Sequence, residues 1–313
     1  MNDKGKKTTM KSPQILLACL ISLSLSYTIH SQNQDTPVTA TKVTDHIYML
    51  EGRGGNIAVS VGEDGVFMVD DQYAHMSAKI LNAVKEITNL PIKFLVNTHW
   101  HGDHTGGNVN MQKEGVVIVA HENVRKRMST KQFNELWNRT TPPSPQEALP
   151  VVTFTQDITF HMNDEDIFVF HVHNAHTDGD AMVYFSGSNV LHMGDTYFNG
   201  KYPYIDISAG GSIQGYLEAH KKALLLIDDE TKIIPGHLKL STKAELQGYT
   251  NKLAQLKEVV EAEIKMGKTE QDIIANSSLT KFLDDENFGD WFIKPEIMRK
   301  IVYLSLTKSQ NTN

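Results

Sequence analysis

From Thr41 to Phe185 the chain alternates short apolar runs with polar or glycine-bearing breaks. Thr41 to Glu51 and Asn56 to Val61 place apolar residues at every second position, the mark of strands with one buried face. Gly52-Arg53-Gly54-Gly55 between them predicts a hairpin loop. Gly65 to Val69 is continuously apolar, as a strand buried on both faces is, and it ends on Asp70-Asp71. The period then changes: in Ala74 to Thr88, Ile80, Leu81, Val84 and Ile87 fall on one helical face. Ile92 to Val96 and Gly115 to Ala120 predict further buried strands, and Glu122 to Met128 a helix. Thr141-Pro142-Pro143-Ser144-Pro145 predicts loop, because proline has no amide hydrogen to give a ladder. Strand character returns at Val151–Thr155, Ile158–His161, Asp166–His171 and Ala181–Phe185. This strand-helix-strand alternation, twice over, points to an α/β protein and agrees with two half-domains packed sheet to sheet.

Beyond His237 the pattern is helical. Leu246, Tyr249, Leu253, Leu256, Val260 and Ile264 recur at intervals of three and four, giving one apolar stripe. Thr269 to Ile274 and Pro295 to Leu306 also predict helices. Two readings of this extension, residues 241–313, stand open. Either the helices cover the sheets, or they form a cap that lines a pocket or a dimer surface.

The first 31 residues differ from the rest. Lys4, Lys6, Lys7 and Lys11 precede an apolar run from Ile15 to Leu25, and polar Ser31-Gln32-Asn33-Gln34-Asp35 follows. The expectation is a signal peptide over residues 1–31, cleaved between Ser26 and Gln32, and a periplasmic or secreted protein. The apolar run is too short for a comfortable membrane span. Cys19 is the only cysteine, and Leu16-Leu17-Ala18-Cys19 only loosely resembles a lipid-attachment site, so anchoring there is the lesser expectation. Without residues 1–31 the chain has no thiol, and its formal charge falls three units below the −7 of the full sequence. So acidic a domain gains nothing from releasing phosphate counterions, which argues against nucleic acid as a partner.

The chemistry concentrates in Asn97-Thr98-His99-Trp100-His101-Gly102-Asp103-His104-Thr105-Gly106-Gly107-Asn108. Four potential metal ligands fall within six residues, directly after an apolar strand. An extended backbone turns alternate side chains to one side, so His99 and His101 can grip one ion. Gly102 lets the chain bend, which frees Asp103 and His104 to face a second position. A solvated surface loop has no need of three histidines and an aspartate at this spacing. Further candidates follow strand-like runs downstream: His176 in Asn174-Ala175-His176-Thr177-Asp178-Gly179-Asp180, Asp195 in Met193-Gly194-Asp195-Thr196, and His237 in Ile234-Pro235-Gly236-His237.

This order, His-x-His-x-Asp-His followed by His, Asp and His, resembles the metallo-β-lactamase superfamily over about Val43 to His237. The resemblance implies an αββα sandwich with a C-terminal helical extension, the catalytic domain spanning residues 32–240. It implies two metal ions, zinc in the first place with iron or manganese as alternatives, since imidazole suits zinc and carboxylates tolerate all three. His99, His101 and His176 would hold one ion, Asp103, His104 and His237 the other, and Asp195 both. A hydroxide bridging the ions would be the nucleophile, oriented by Asp103 as the catalytic residue.

Around this set, Asp70 is a candidate to accept a hydrogen bond from a ligand histidine. The loop Tyr197-Phe198-Asn199-Gly200-Lys201-Tyr202-Pro203-Tyr204 offers Lys201 and Tyr202 as substrate contacts, with Arg53 a weaker anion anchor. His171, His173 and His192 read as structural, His121 is ambiguous, and His46, His75, His161 and His220 read as ordinary. Trp100 is expected against the ligands beside it.

The expected activity is that of a secreted dinuclear zinc hydrolase opening a cyclic amide, a β-lactam above all. The substrate would be a small molecule that is anionic or becomes so. An acyl-homoserine-lactone type lactonase is the first rival. Thioester hydrolysis is the second, with the leader counting against an intracellular glutathione enzyme. A non-enzymatic metal-binding module is disfavoured, because structural zinc sites are closed by four ligands that often include cysteine.

Overall fold

The computed structural model describes Met1, Asn2, Gly5 and residues 36–308. Almost all of the expected leader, with Cys19 and the cleavage region, lies outside the described residues. From Val38 onward the chain is one compact unit. Among the described residues no helix is long and apolar enough to cross a membrane.

The predicted first strand is two. β1 (Thr39–Lys42) and β2 (Ile47–Glu51) form an antiparallel pair. The amides of Val43 and Thr44 both donate to the Ile47 carbonyl, and Thr44 Oγ1 accepts from the Ile47 amide at 3.0 Å. Thr-Asp turn chemistry thus breaks a run whose alternation alone reads as continuous. β3 (Ile57–Gly62), β4 (Gly65–Val69), β5 (Ile92–Asn97) and β6 (Val117–His121) follow. β7 (Gln132–Asn134) and β8 (Arg139–Thr141) make a separate hairpin that the sequence reading did not anticipate. β9 (Val152–Phe154) completes a seven-stranded sheet ordered β1-β2-β3-β4-β5-β6-β9. β4, β5, β6 and β9 run parallel, which requires crossovers. The one between β4 and β5 is α1 (Ser77–Ile87).

A six-stranded second sheet follows in order: β10 (Asp157–Met162), β11 (Glu165–His171), β12 (Ala181–Phe185), β13 (Val190–His192), β14 (Lys232–Ile234) and β15 (Ser241–Thr242). The inner faces of the two sheets share one core. Ile47, Met49, Phe67, Val69, Val96 and Val119 meet Ile167, Val169, Val183, Phe185 and Ile234, all almost fully buried. Phe67 sets its edge against Phe160 and Phe185, with centroids 5.0 and 6.1 Å away. On the outer face of the first sheet, α1 buries Ile80, Ala83 and Val84 against Leu50, Val59 and Met68. The outer face of the second sheet is covered by α5 (Ile213–Leu226), α6 (Lys243–Lys265) and α9 (Pro295–Lys308). Four short helices make up the rest of the numbering: α2 (Gly102–Thr105), α3 (Asn108–Lys113), α4 (Glu122–Met128) and α7 (Glu270–Ala275), with α8 (Lys281–Asp284) a single further turn. The result is the expected αββα sandwich.

The C-terminal stripe behaves as its period dictates. Leu246, Leu253, Leu256 and Val260 are buried in the core that also holds Phe170, Met182 and Leu191 of the second sheet. α6 starts on a capping box, with Thr242 and Glu245 satisfying each other's backbone amides.

Candidate metal centre

Strand ends deliver the candidate ligands to one edge of the sandwich. β5 stops at Asn97, His101 is still extended (φ −68°, ψ 147°), and α2 then lifts Asp103 and His104. His176 comes from the β11–β12 loop. Asp195 sits on a tight turn, Gly194–Thr196, directly after β13, and His237 follows β14 by way of Pro235-Gly236.

Two groups result: His99, His101, His176 and Asp195, and Asp103, His104 and His237. Within each group one ligand atom per residue lies within 4.8 Å of the others. The ring centroids of His99, His101 and His176 are 4.6–4.9 Å apart. His99 and His104, at 4.2 Å, join the groups. The Asp195 carboxylate faces both. Its Oδ2 is 3.8 Å from His99 Nε2 and 3.6 Å from His176 Nε2, while its Oδ1 is 3.0 Å from His104 Nε2 and 3.4 Å from His237 Nε2.

Four of the rings have one nitrogen engaged from behind. His104 Nδ1 lies 2.7 Å from Asp70 Oδ2, His176 Nδ1 2.6 Å from the Tyr204 carbonyl, and His101 Nε2 3.0 Å from Asp206 Oδ2. His99 Nδ1 lies 3.1 Å from Thr98 Oγ1, whose hydroxyl in turn donates to Asp70. Such contacts fix the tautomer and leave the opposite nitrogen free to take a cation.

The fit to metal rests on atoms that nothing else satisfies. His99 Nε2 and Asp195 Oδ1 are buried and form no hydrogen bond of acceptable geometry. His104 Nε2 is near that oxygen but not aligned with it. An unpaired buried polar atom costs on the order of 1–3 kcal/mol, and here two of them point into one cluster of imidazoles and carboxylates. Backbone space is equally committed. A Cβ on Gly55 would lie 2.1 Å from His104 Cε1, and one on Gly236 would lie 2.2 Å from Asp195 Oδ1.

Electrostatics point the same way. Burial opposes charge throughout, yet the carboxylates of Asp195, Asp70 and Asp103 outweigh it at His104 and hold that imidazole well above its ordinary value. His237, only partly buried, is raised to about 9 by Asp195 and Asp103. Burial would raise the Asp195 and Asp103 carboxyls, but His104 and His237 hold both well below the usual range. The protons thus stand where positive charge is required. Burial brings His176 down to about 4 and His99 well down, which keeps both rings in the neutral form that ligates.

The remaining candidates divide. Asp70 is fully buried and meets His104 as expected, and Trp100 packs 4.7 Å from His101. Lys201 and Tyr202 do not face the cluster's chemistry. Lys201 Nζ donates to the Asn287 carbonyl, and Tyr202 is fully buried with its hydroxyl donating to Asp284. Both are claimed by the C-terminal segment, whose approach a local motif does not reveal. Asp178 pairs with Arg127 through two hydrogen bonds of 2.6 and 2.7 Å, and Asp180 accepts from the amides of His176 and Thr177. His121 and His171 stack at 3.9 Å outside the ligand groups, with His121 Nε2 3.1 Å from the Thr155 carbonyl and His171 Nδ1 2.8 Å from the Asp180 carbonyl.

Sequence reasoning missed the role of Asp206, and it placed Tyr204 in the loop beside the centre without its bond to His176. Asp206 also caps its own turn, accepting from the Ala209 amide, and that local signature was available. Its bond to His101 spans 105 residues and was not. Of the two readings left open for the C-terminal extension, the cover over the second sheet is seen in its helices, and the approach to the centre in the segment between α8 and α9. Trp291 lies 5.2 Å from His237, and Phe198 stacks on the same imidazole at 5.4 Å.

Comparison with known proteins agrees with this geometry. A family model described as "Metallo-beta-lactamase superfamily" matches residues 50–237. Curated relatives include a hydroxyacylglutathione hydrolase from Pelagibacter ubique, 24% identical over 197 residues, or 62% of this chain and 66% of the relative, just under two thirds of its length. One of the same name from Prochlorococcus marinus is 26% identical over 236 residues, 71% of this chain and 80% of the relative. Among solved structures, a metallo-beta-lactamase from Pontibacter korlensis superposes with TM-score 0.59 at 18% identity, covering 69% of this chain and 99% of that one. A double mutant of the sec-alkyl sulfatase PisA1 gives 0.63 at 16% identity, covering 85% of this chain and 50% of that one. The structural likenesses speak for the fold, and the family match, which takes in all seven candidate ligands, speaks for more: the chain belongs to the metallo-beta-lactamase superfamily and is a metal-dependent hydrolase.

Proposed function

We propose that this hydrolase is dinuclear, with zinc as its first metal, and that it cleaves the acyl bond of a small molecule, a β-lactam in the first reading. The observation that carries the proposal is the placement of Asp195, one oxygen toward each ligand group. His99, His101 and His176 would hold one ion and Asp103, His104 and His237 the other, with Asp195 shared. Bound there, two divalent ions supply carbonyl polarisation and bring the pKa of a water down to about 7.

The chain's own groups do the rest. Asp103 is the more open of the two central carboxylates, its side chain 25% exposed against 6% for Asp195. It is therefore the group placed to orient an attacking water and hold its proton at Oδ2. Asp70 and Asp206 hold His104 and His101 in register from behind. Phe198 and Trp291 shield His237 and limit water on that side. With the leader read in residues 1–31, the reaction takes place in the periplasm or outside the cell.

A second reading, thioester hydrolysis, is favoured by the names of the two curated relatives. The deciding assay gives zinc-loaded chain a chromogenic cephalosporin, an acyl-homoserine lactone and S-lactoylglutathione, with chelator-stripped protein and His101→Ala as controls. Metal-dependent turnover of the cephalosporin at roughly 10⁴ M⁻¹s⁻¹ or better supports the first reading. Turnover of S-lactoylglutathione alone transfers the proposal to thioesters. Turnover that survives both controls refutes the metal centre as catalyst.

A further inference from the structure

We propose that the aromatic residues around the metal centre form a cleft for an apolar ring or chain of the substrate, and that Arg139 and Arg53 receive an anionic group on the same molecule. This rests on the hydrolase reading and specifies its substrate class.

Tyr204 lays its ring beside His101, at 5.7 Å and 28°. Trp137 and Phe292 each stand 6.1 Å from Tyr204 and 5.4 Å from one another. Trp291 continues the surface, 6.2 Å from Phe292 and 5.2 Å from His237. A continuous aromatic wall therefore runs from a residue of the first ligand group to one of the second. Three distant parts of the chain build it: the β7–β8 hairpin, the loop after Asp195 and the segment between α8 and α9.

Its outer members are open to solvent. Trp137 is 38% and Phe292 54% exposed, in a chain whose other large aromatics are mostly buried. Apolar rings left open together beside a reaction centre mark a ligand surface. Trp291 packs against the core on the second sheet, but Trp137 and Phe292 are not part of that core.

The arginines add the charge. Arg139 pairs across the hairpin with Asn134, so both side chains leave the same face. Asn134 hydrogen-bonds Tyr204 and Asp206, which fixes that face toward the centre. Arg53 stands in the β2–β3 loop, whose Gly55 amide donates to the Asp103 carbonyl at 3.0 Å. Both arginines are exposed, and neither guanidinium makes a hydrogen bond or ion pair among the described residues, although acidic side chains outnumber basic ones 37 to 30. Both also lie close enough to Tyr73, beside Asp103, to pull its phenol down against the larger upward push of burial. Unpaired guanidinium groups of this kind suit a carboxylate, sulfate or similar oxyanion.

The test reads binding apart from turnover. All three tryptophans of the chain, Trp100, Trp137 and Trp291, lie on the centre or its aromatic wall, so fluorescence excited beyond tyrosine absorption reports on that region. Zinc-loaded protein is titrated with 2-naphthylacetate, acetate and neutral 2-naphthylacetamide. The proposal expects naphthylacetate to bind about tenfold or more tighter than acetate. Phe292→Ala should remove most of that advantage and leave acetate unchanged. Arg139→Gln should weaken naphthylacetate about fivefold and leave naphthylacetamide unchanged. Equal affinities for acetate and naphthylacetate overturn the cleft. So does a concentration-dependent dimer that Phe292→Ala dissociates, because the wall would then be an interface between copies. Selective binding without hydrolysis of any acyl substrate leaves the cleft standing and removes the acyl-cleavage reading. Hydrolysis whose KM ignores both the ring and Phe292→Ala does the reverse.

Discussion

Asp70→Asn separates the support of a ligand from the ligand itself. Asp70 is fully buried and accepts three hydrogen bonds: from the Thr98 amide at 2.8 Å, the Thr98 hydroxyl at 2.7 Å and His104 Nδ1 at 2.7 Å. Its φ is +62°, a left-handed conformation that asparagine tolerates, so the exchange adds no backbone strain. Shape is kept, and the remaining carbonyl oxygen can still accept from the Thr98 amide. At the other position an NH₂ group replaces an acceptor and meets the Nδ1–H of His104. Either that contact opens, or the imidazole changes tautomer and puts a proton on Nε2, the nitrogen that faces Asp195. Loss of one hydrogen bond to a charged acceptor costs about 1.5–3 kcal/mol. Removing such a partner from a metal-ligand histidine weakens metal binding roughly 10–100-fold. The expectation is that competition with a chelator shows the ion of the His104 group weakened by that factor, and the ion of the His101 group much less. Asp206→Asn should show the opposite preference, because Asp206 stands behind His101. If the two variants weaken the same ion, or if Asp70→Asn binds both ions like the parent, the reasoning fails.

Two further expectations concern residues away from the reacting atoms. Lys201→Ala should change KM less than about twofold, and Tyr202→Phe should lower stability by about 1 kcal/mol with kinetics intact, since both side chains serve the C-terminal segment. A tenfold rise in KM for either would return it to the substrate. His220 is buried, with Nε2 2.6 Å from the Thr196 carbonyl, and burial lowers its pKa to about 4. A depressed histidine adds stability that is whole above its unfolded value near 6.5 and is lost as pH falls toward 4. At pH 5 the unfolded chain binds this proton and the folded chain does not, a loss of about 2 kcal/mol. The stability difference between the parent and His220→Gln should therefore shrink by about that much from pH 7.5 to pH 5. An unchanged difference contradicts the buried neutral ring.

What was legible in the sequence and what was not divides along the range of the interactions. His99, His101, Asp103 and His104 are neighbours whose geometry follows from one strand end and one helical turn, so period and spacing place them. Asp195 and His237 follow for the same reason, each standing a few residues beyond a short apolar strand. Asp206, Tyr204 and Trp291 carry no such mark. They reach the centre only because the second sheet and the C-terminal core bring distant segments together. The hairpin β7–β8 escaped for another reason. Strands of three residues are too short to show a period, and the prolines after Thr141 read as loop.

That division has a consequence for substrate. The local motif supplies the metal-binding centre of a hydrolase and no more, and it does not choose a substrate. Selection falls to whatever stands around it. Here those surroundings are a hairpin tied to Asp206 by Asn134 and a C-terminal segment pinned at the Tyr202 amide by the Phe288 carbonyl. Both carry exposed aromatic rings and neither contributes a ligand. Asn134 touches both Asp206 and Tyr204, so any shift of the hairpin is felt at the carboxylate that holds His101. A substrate that seats its apolar part against Trp137 therefore presses on the same network that positions the first ligand group. On the proposed reading, fit in the cleft and the placement of His101 share one asparagine, so recognition there would act on the centre itself.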